Sequence, residues 1–221
     1  MLSKPILIAI AALLCTSAYA APTLHTTDFI ANANRTNFVD FEPIGNTTSF
    51  GASFTQNGVS VNQVNGQVND IWTSCASSCW FSNTTFTWYP NGGDLGWTEI
   101  TKADASDFSD MGLDLGSGFG PGSKPVLYEL LLNGVSVLSG SIITPAAADG
   151  YIGFSGGGFD QVRLRNTFSG GGNFGDGALN ALAIDNIELA APGGVVPEPG
   201  TLALLGLGLA GVAISRRRFK T

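Results

Sequence analysis

From residue 21 to residue 189 the chain repeats one pattern: short runs in which apolar side chains alternate with polar ones, separated by clusters of Gly, Asn and Pro. A period of two places alternate side chains on one face of a strand, and turn residues at this spacing punctuate a sandwich or barrel. The pattern predicts strands over 37–41, 49–56, 59–64, 86–89, 97–102, 110–115, 126–132, 135–141, 150–154, 161–166 and 182–189. Asn133-Gly134 joins two of them, and that dipeptide supplies the positive φ angles of a type I′ turn whose twist matches paired strands. The fold class expected is all-β, two facing sheets forming a β-sandwich of jelly-roll type, as one domain over residues 21–189.

Two apolar runs break the pattern, one at each end. Near the start, Lys4, the run Ile6 to Leu14 and the small-residue site Ala18-Tyr19-Ala20 read as a signal peptide over residues 1–20, which takes Cys15 with it. Near the end, a Pro/Gly/Val linker at 190–196 leads to Pro197-Glu198-Pro199, an apolar stretch over 201–215, and Arg216-Arg217-Arg218. Fifteen helical residues reach about 22 Å, a marginal transmembrane helix against a hydrocarbon core of about 30 Å. Arginines beyond it hold that end in the cytoplasm and make it a stop-transfer anchor.

Composition narrows the function classes. Glycine, at 30 of 221 residues, is about twice its usual share, and charged residues are only 12%. Once both ends are set aside, the body keeps five basic and sixteen acidic residues, a net charge near −11. Such a surface repels phosphate backbones, so no nucleic-acid partner is expected. Cys75 and Cys79 are the two mature cysteines, and an even pair in an exported chain is expected to close a disulfide, worth roughly 2 kcal/mol for so short a loop.

The Val196-Pro197-Glu198-Pro199 segment, the Leu/Gly/Ala-rich stretch and the basic cluster resemble the PEP-CTERM sorting signal, here over 197–221, of Gram-negative bacteria that make exopolysaccharide. The resemblance implies passage through the export machinery, transient retention in the inner membrane, and recognition by an exosortase around Pro197, Glu198 and Pro199. Release to the cell surface or extracellular matrix follows. Phe38 to Glu42, Gly150 to Phe154 and Ala183 to Ile187 look similar to segments of sandwich domains in such proteins. The tail is an address and assigns no activity. The function expected is a non-enzymatic structural component associated with exopolysaccharide, with a carbohydrate-binding module as first alternative and a secreted hydrolase as second.

Candidate chemistry is sparse. Gly153-Phe154-Ser155-Gly156-Gly157 matches G-x-S-x-G, but a glycine run is a poor helix start and the only histidine, His25, precedes the serine. Asp104, Asp107, Asp110 and Asp114 form the densest acid cluster without a calcium-loop pattern. Trp72, Trp80, Trp88 and Trp97 lie close together with Phe81, Phe86 and Tyr89; most of these large side chains are expected to build the core, while rings at loop ends can stack on sugars, which makes Trp80, Trp88 and Tyr89 the candidate glycan-binding residues. By resemblance to jelly-roll carbohydrate-binding modules, Glu42 and Asp185 are the candidate ligands of a structural Ca²⁺, the one cofactor considered.

Overall fold

The computed structural model describes residues 21–44, 52–64, 69–73, 86–90, 96–117, 123, 125–144, 150–166 and 182–190. The chain divides into two units, Met1–Ala191 and Pro192–Thr221, and the second lies outside the described residues. So do the signal peptide, the Cys75 and Cys79 pair and the expected helix over 201–215. Among the described residues no helix is long and apolar enough to cross a membrane.

The described residues are all-β, with two single-turn 3-10 helices at Asn32–Asn34 and Glu42–Ile44. In chain order the strands are β1 (Thr23–His25), β2 (Arg35–Val39), β3 (Ser53–Gln56), β4 (Val59–Val64), β5 (Asn69–Thr73) and β6 (Phe86–Pro90). Then come β7 (Trp97–Lys102), β8 (Asp110–Ser117), β9 (Pro125–Leu132), β10 (Val135–Ile143), β11 (Gly150–Ser155), β12 (Gln161–Asn166) and β13 (Leu182–Ala190). Sheet A runs β1-β11-β8-β13-β6-β5, with β2 also paired to β13, and sheet B runs β10-β9-β12-β7-β4-β3. Every pairing is antiparallel.

Local sequence explains the hairpins. Asn133 and Gly134 take φ values of 51° and 77° and set Val135 opposite Leu132. Asn57 and Gly58, at 49° and 78°, do the same between β3 and β4. Both are the type I′ geometry. β2 ends at Val39, two residues short of the expected Phe41, because Phe41 adopts φ 55° and leaves the extended region. β1 and β5 were not expected: one is three residues long, and the other opens on Asn69-Asp70, so neither shows the alternation that marks a strand.

The core fills the space between the sheets. From sheet A it takes Val39, Trp88, Met111, Leu113, Leu115, Ile152, Phe154, Ile184 and Ile187, and from sheet B Val59, Val61, Ile100, Val126, Leu130, Val162 and Leu164. Alternate residues on the same strands therefore face outward, and those on sheet A build the site below.

Candidate functional site

A polar cleft of about 310 Å³ opens on the outer face of sheet A, lined by Asp28, Arg35, Phe38, Asp114, Tyr151, Asn186 and Glu188. It depends on a bulge in β13. Asp185 pairs with Asp114 and Glu188 with Gly112, so three steps along β13 match two along β8, and Asn186 absorbs the extra residue at φ 48°. Without it, Asp185 and Glu188, three apart, would face opposite sides of the sheet. With it, Glu188 comes opposite Gly112 on the outward phase while Ile184 and Ile187 stay in the core.

Glu188 forms the floor, with only 2% of its surface exposed. Its Oε1 accepts the Tyr151 hydroxyl at 2.8 Å, and its Oε2 accepts the Arg35 Nε–H in an ion pair. Burial raises the Glu188 carboxyl above its usual range, against the lowering effects of Tyr151 and Arg35. Burial, then the adjacent Glu188 carboxylate, pushes the Tyr151 phenol well above its ordinary value, so it stays protonated and donating. The Arg35 guanidinium lies 5.0 Å from the centre of the Phe38 ring. On the far wall, Asn186 Nδ2 donates to Asp114 Oδ2 at 2.9 Å.

Glycines make room for this arrangement. To reach Glu188 from β11, Tyr151 must cross β8, and it does so over Gly112, where a Cβ would overlap the phenol oxygen. A Cβ on Gly153 would meet Phe29 and Tyr151, whose rings sit edge to face at 6.4 Å between centroids. Sequence reasoning missed Arg35, Tyr151 and Glu188, and these two strand glycines were the available signal of a close approach. A second signal is the slip in apolar period from Leu182 and Ile184 to Ile187 and Leu189.

Of the sequence-derived candidates, Trp88 requires a correction. It is fully buried and stacks on Phe41 with centroids 6.1 Å apart, so its ring belongs to the core and is not offered to a sugar. A residue on the inward phase of β6 is buried by the opposite sheet, however near it lies to a turn. Trp80 lies outside the described residues, and for Tyr89 only the backbone is described, opposite Asp70. Glu42 is exposed at the start of a 3-10 turn, whereas Asp185 is wholly buried, its Oδ1 accepting the Asn186 N–H at 2.6 Å. Among the described residues no group of three or more His, Cys, Asp or Glu is placed to hold a metal. The Asp104 cluster disperses: Asp104 accepts the Ser106 N–H and hydroxyl, which lower its carboxyl pKa, Asp110 accepts the Gly156 N–H, and Asp114 turns to the cleft.

His25 and Ser155, dismissed on chain order, are brought together when β1 pairs with β11, with Nε2 2.8 Å from Oγ. The neighbouring N–H groups of Gly156 and Gly157 already donate to Asp110 and to the Ser109 carbonyl, leaving neither for an oxyanion. The His25 ring stacks on Phe29 at 4.0 Å, so the pair clips β1 to the sheet.

The described body is thus an all-β, two-sheet domain carrying one polar cleft on sheet A. Residues 195–218 match the PEP-CTERM protein-sorting motif. The chain carries that motif as an exosortase substrate, and the motif supports export with membrane-associated processing. No curated protein matches the sequence. Among solved structures, the CBM22-2 xylan-binding domain of Paenibacillus barcinonensis Xyn10C is similar at 10% identity and TM-score 0.37, covering 70% of this chain and 98% of that one. Its CBM22-1 domain is similar at 11% identity and TM-score 0.35, covering 69% and 91%. A DUF4465 family protein from Bacteroides caccae is similar at 10% identity and TM-score 0.38, covering 80% and 97%.

Proposed function

We propose that the protein is a non-enzymatic component of the cell surface or extracellular matrix, a sandwich of jelly-roll type that holds a neutral glycan in the sheet A cleft. The observation carrying this reading is the composition of the cleft: three carboxylates, one amide, one arginine and two aromatic rings around about 310 Å³. Carboxylates and the Asn186 amide bond sugar hydroxyls, and Phe38 and Tyr151 offer apolar ring surface to the C–H faces of a pyranose. Asp28, Asp114 and Glu188 outnumber Arg35, so the cleft disfavours an acidic sugar. Association with exopolysaccharide through such a cleft gives a matrix component its attachment without any reaction.

The test is a glycan array with the exported protein, repeated with Phe38→Ala and Asp114→Asn. Binding to a neutral oligosaccharide, weakened at least about tenfold by each variant, is expected, since tenfold corresponds to loss of one good contact of about 1.4 kcal/mol. Absence of any neutral ligand, or variants that bind like wild type, would overturn the assignment.

A further inference from the structure

The outer face of sheet B carries a different chemistry. On this face Ser141, Leu127 and Arg165 are cross-strand partners, Trp97 and Val64 are partners, and the Arg165 guanidinium over the Trp97 ring joins them into one row, while register sets Ser139, Glu129, Arg163, Glu99 and Asn62 in the next. Arg163 lies between two acids, its Nε 3.5 Å from Glu129 and 3.9 Å from Glu99. Arg165 has Leu127 on one side and Trp97 on the other, with its guanidinium 4.8 Å from the centre of the indole.

Arg165 differs from the other cations described. Arg35 is paired with Glu188, Arg163 lies between its acids, and Lys102 donates to the Asp107 carbonyl at 2.7 Å. Among the described residues Arg165 makes no ion pair; its Nε is buried without a hydrogen-bond acceptor, as is that of Arg163, whose charge is met by Glu129 and Glu99. A guanidinium without a carboxylate beside it keeps its charge for an anionic ligand, which it binds through its terminal N–H groups. Beside it, Trp97, Leu127, Tyr128, Glu129, Ser139, Gly140 and Ser141 line an open groove of about 400 Å³.

We propose that this groove is a binding site for an acidic polysaccharide, with Arg165 receiving the carboxylate of a uronic acid residue. A guanidinium matches a carboxylate bidentately, and Trp97 and Leu127 present the apolar surface on which the sugar ring lies. The Ser139 and Ser141 hydroxyls line the same groove and suit sugar hydroxyls. The acidic body opposes any polyanion at long range, so the recognition is local: a polyuronate brings one carboxylate per sugar, and among the described residues Arg165 has no acidic partner to displace. The site is independent of the sheet A cleft and lies on the opposite face of the sandwich. A protein holding a neutral chain on one face and an acidic chain on the other links two polysaccharides, which is a structural role in a matrix.

Calorimetric titration of the exported protein with a galacturonic acid hexamer and, separately, with the neutral xylohexaose tests this. The uronate is expected to bind with an affinity that falls several-fold between about 50 and about 300 mM NaCl, as screening of a charged contact requires. Arg165→Gln and Trp97→Phe should each weaken it at least about tenfold, with melting temperature confirming that each variant is folded. Arg165→Lys should recover only part of the loss, because an ammonium lacks the bidentate geometry. Xylohexaose binding should show neither the salt effect nor a loss in Arg165→Gln and Trp97→Phe, and the sheet A variant Phe38→Ala should bind the uronate with the affinity and salt dependence of wild type. Failure of wild type to bind the hexamer, or an Arg165→Gln protein that binds it like wild type, would overturn the proposal and leave the sheet A reading untouched.

Discussion

Replacing Gly112 by Ala tests how the sheet A cleft is built. In most strand interiors this change favours folding by about 0.5–1 kcal/mol, since Gly loses more backbone freedom than Ala. Gly112 has no positive φ to protect, so the backbone accepts Ala. The added methyl group nonetheless falls on the Tyr151 phenol, 2.6 Å from Cζ, and 3.1 Å from Glu188 Oε1. Tyr151 must leave, and Glu188 loses a hydrogen bond to a buried carboxylate, worth about 1.5–3 kcal/mol. The expected net result is a loss of about 2 kcal/mol, or about 5 °C in melting temperature for a domain of this size. Urea and thermal unfolding of the exported protein measure it, and the double variant with Tyr151→Ala isolates the cause. In a Tyr151→Ala background the Gly112→Ala change should become neutral or stabilising, because the overlap is gone. A Gly112→Ala protein as stable as wild type would refute the crossing of Tyr151 over β8 as the reason for the glycine.

Two further outcomes are expected. Because the Glu188 carboxyl titrates above its usual range when folded, the folded state binds more protons than the unfolded one between those two values, and stability falls as pH rises through that window; Glu188→Gln should remove this component, seen as a wild-type-minus-variant difference in unfolding free energy that falls as pH rises above the usual carboxylate range and as a flat difference if Glu188 contributes nothing. In the tail, Pro197→Ala with Glu198→Ala should leave the protein unprocessed in the inner membrane, read by size and fractionation, and maturation like wild type would count against exosortase recognition there.

Local chemistry made much of the fold legible. Val59–Val64, Trp97–Lys102 and Gln161–Asn166 are strands over the ranges expected, and Asn133-Gly134 turns as its dihedral preference requires. These features depend on neighbours in the chain, and alternation or a dipeptide suffices to specify them. The sorting tail was equally legible, because a signal read as a linear segment must be written in one.

The sites were decided elsewhere. Arg35 and Glu188 are 153 residues apart, His25 and Ser155 are 130 apart, and only the order of strands in sheet A makes each pair meet. Trp88 looked like a loop-end ring and is core, because the phase of a strand relative to the opposite sheet determines which rings are covered. Arg165 carried no signal at all in the sequence: among the described residues it has no carboxylate beside it, because register sets Arg163 between two acids and Arg165 opposite Leu127, with Trp97 under its guanidinium. Composition and periodicity report what a residue prefers, while burial and pairing are properties of the positions that sheet packing creates.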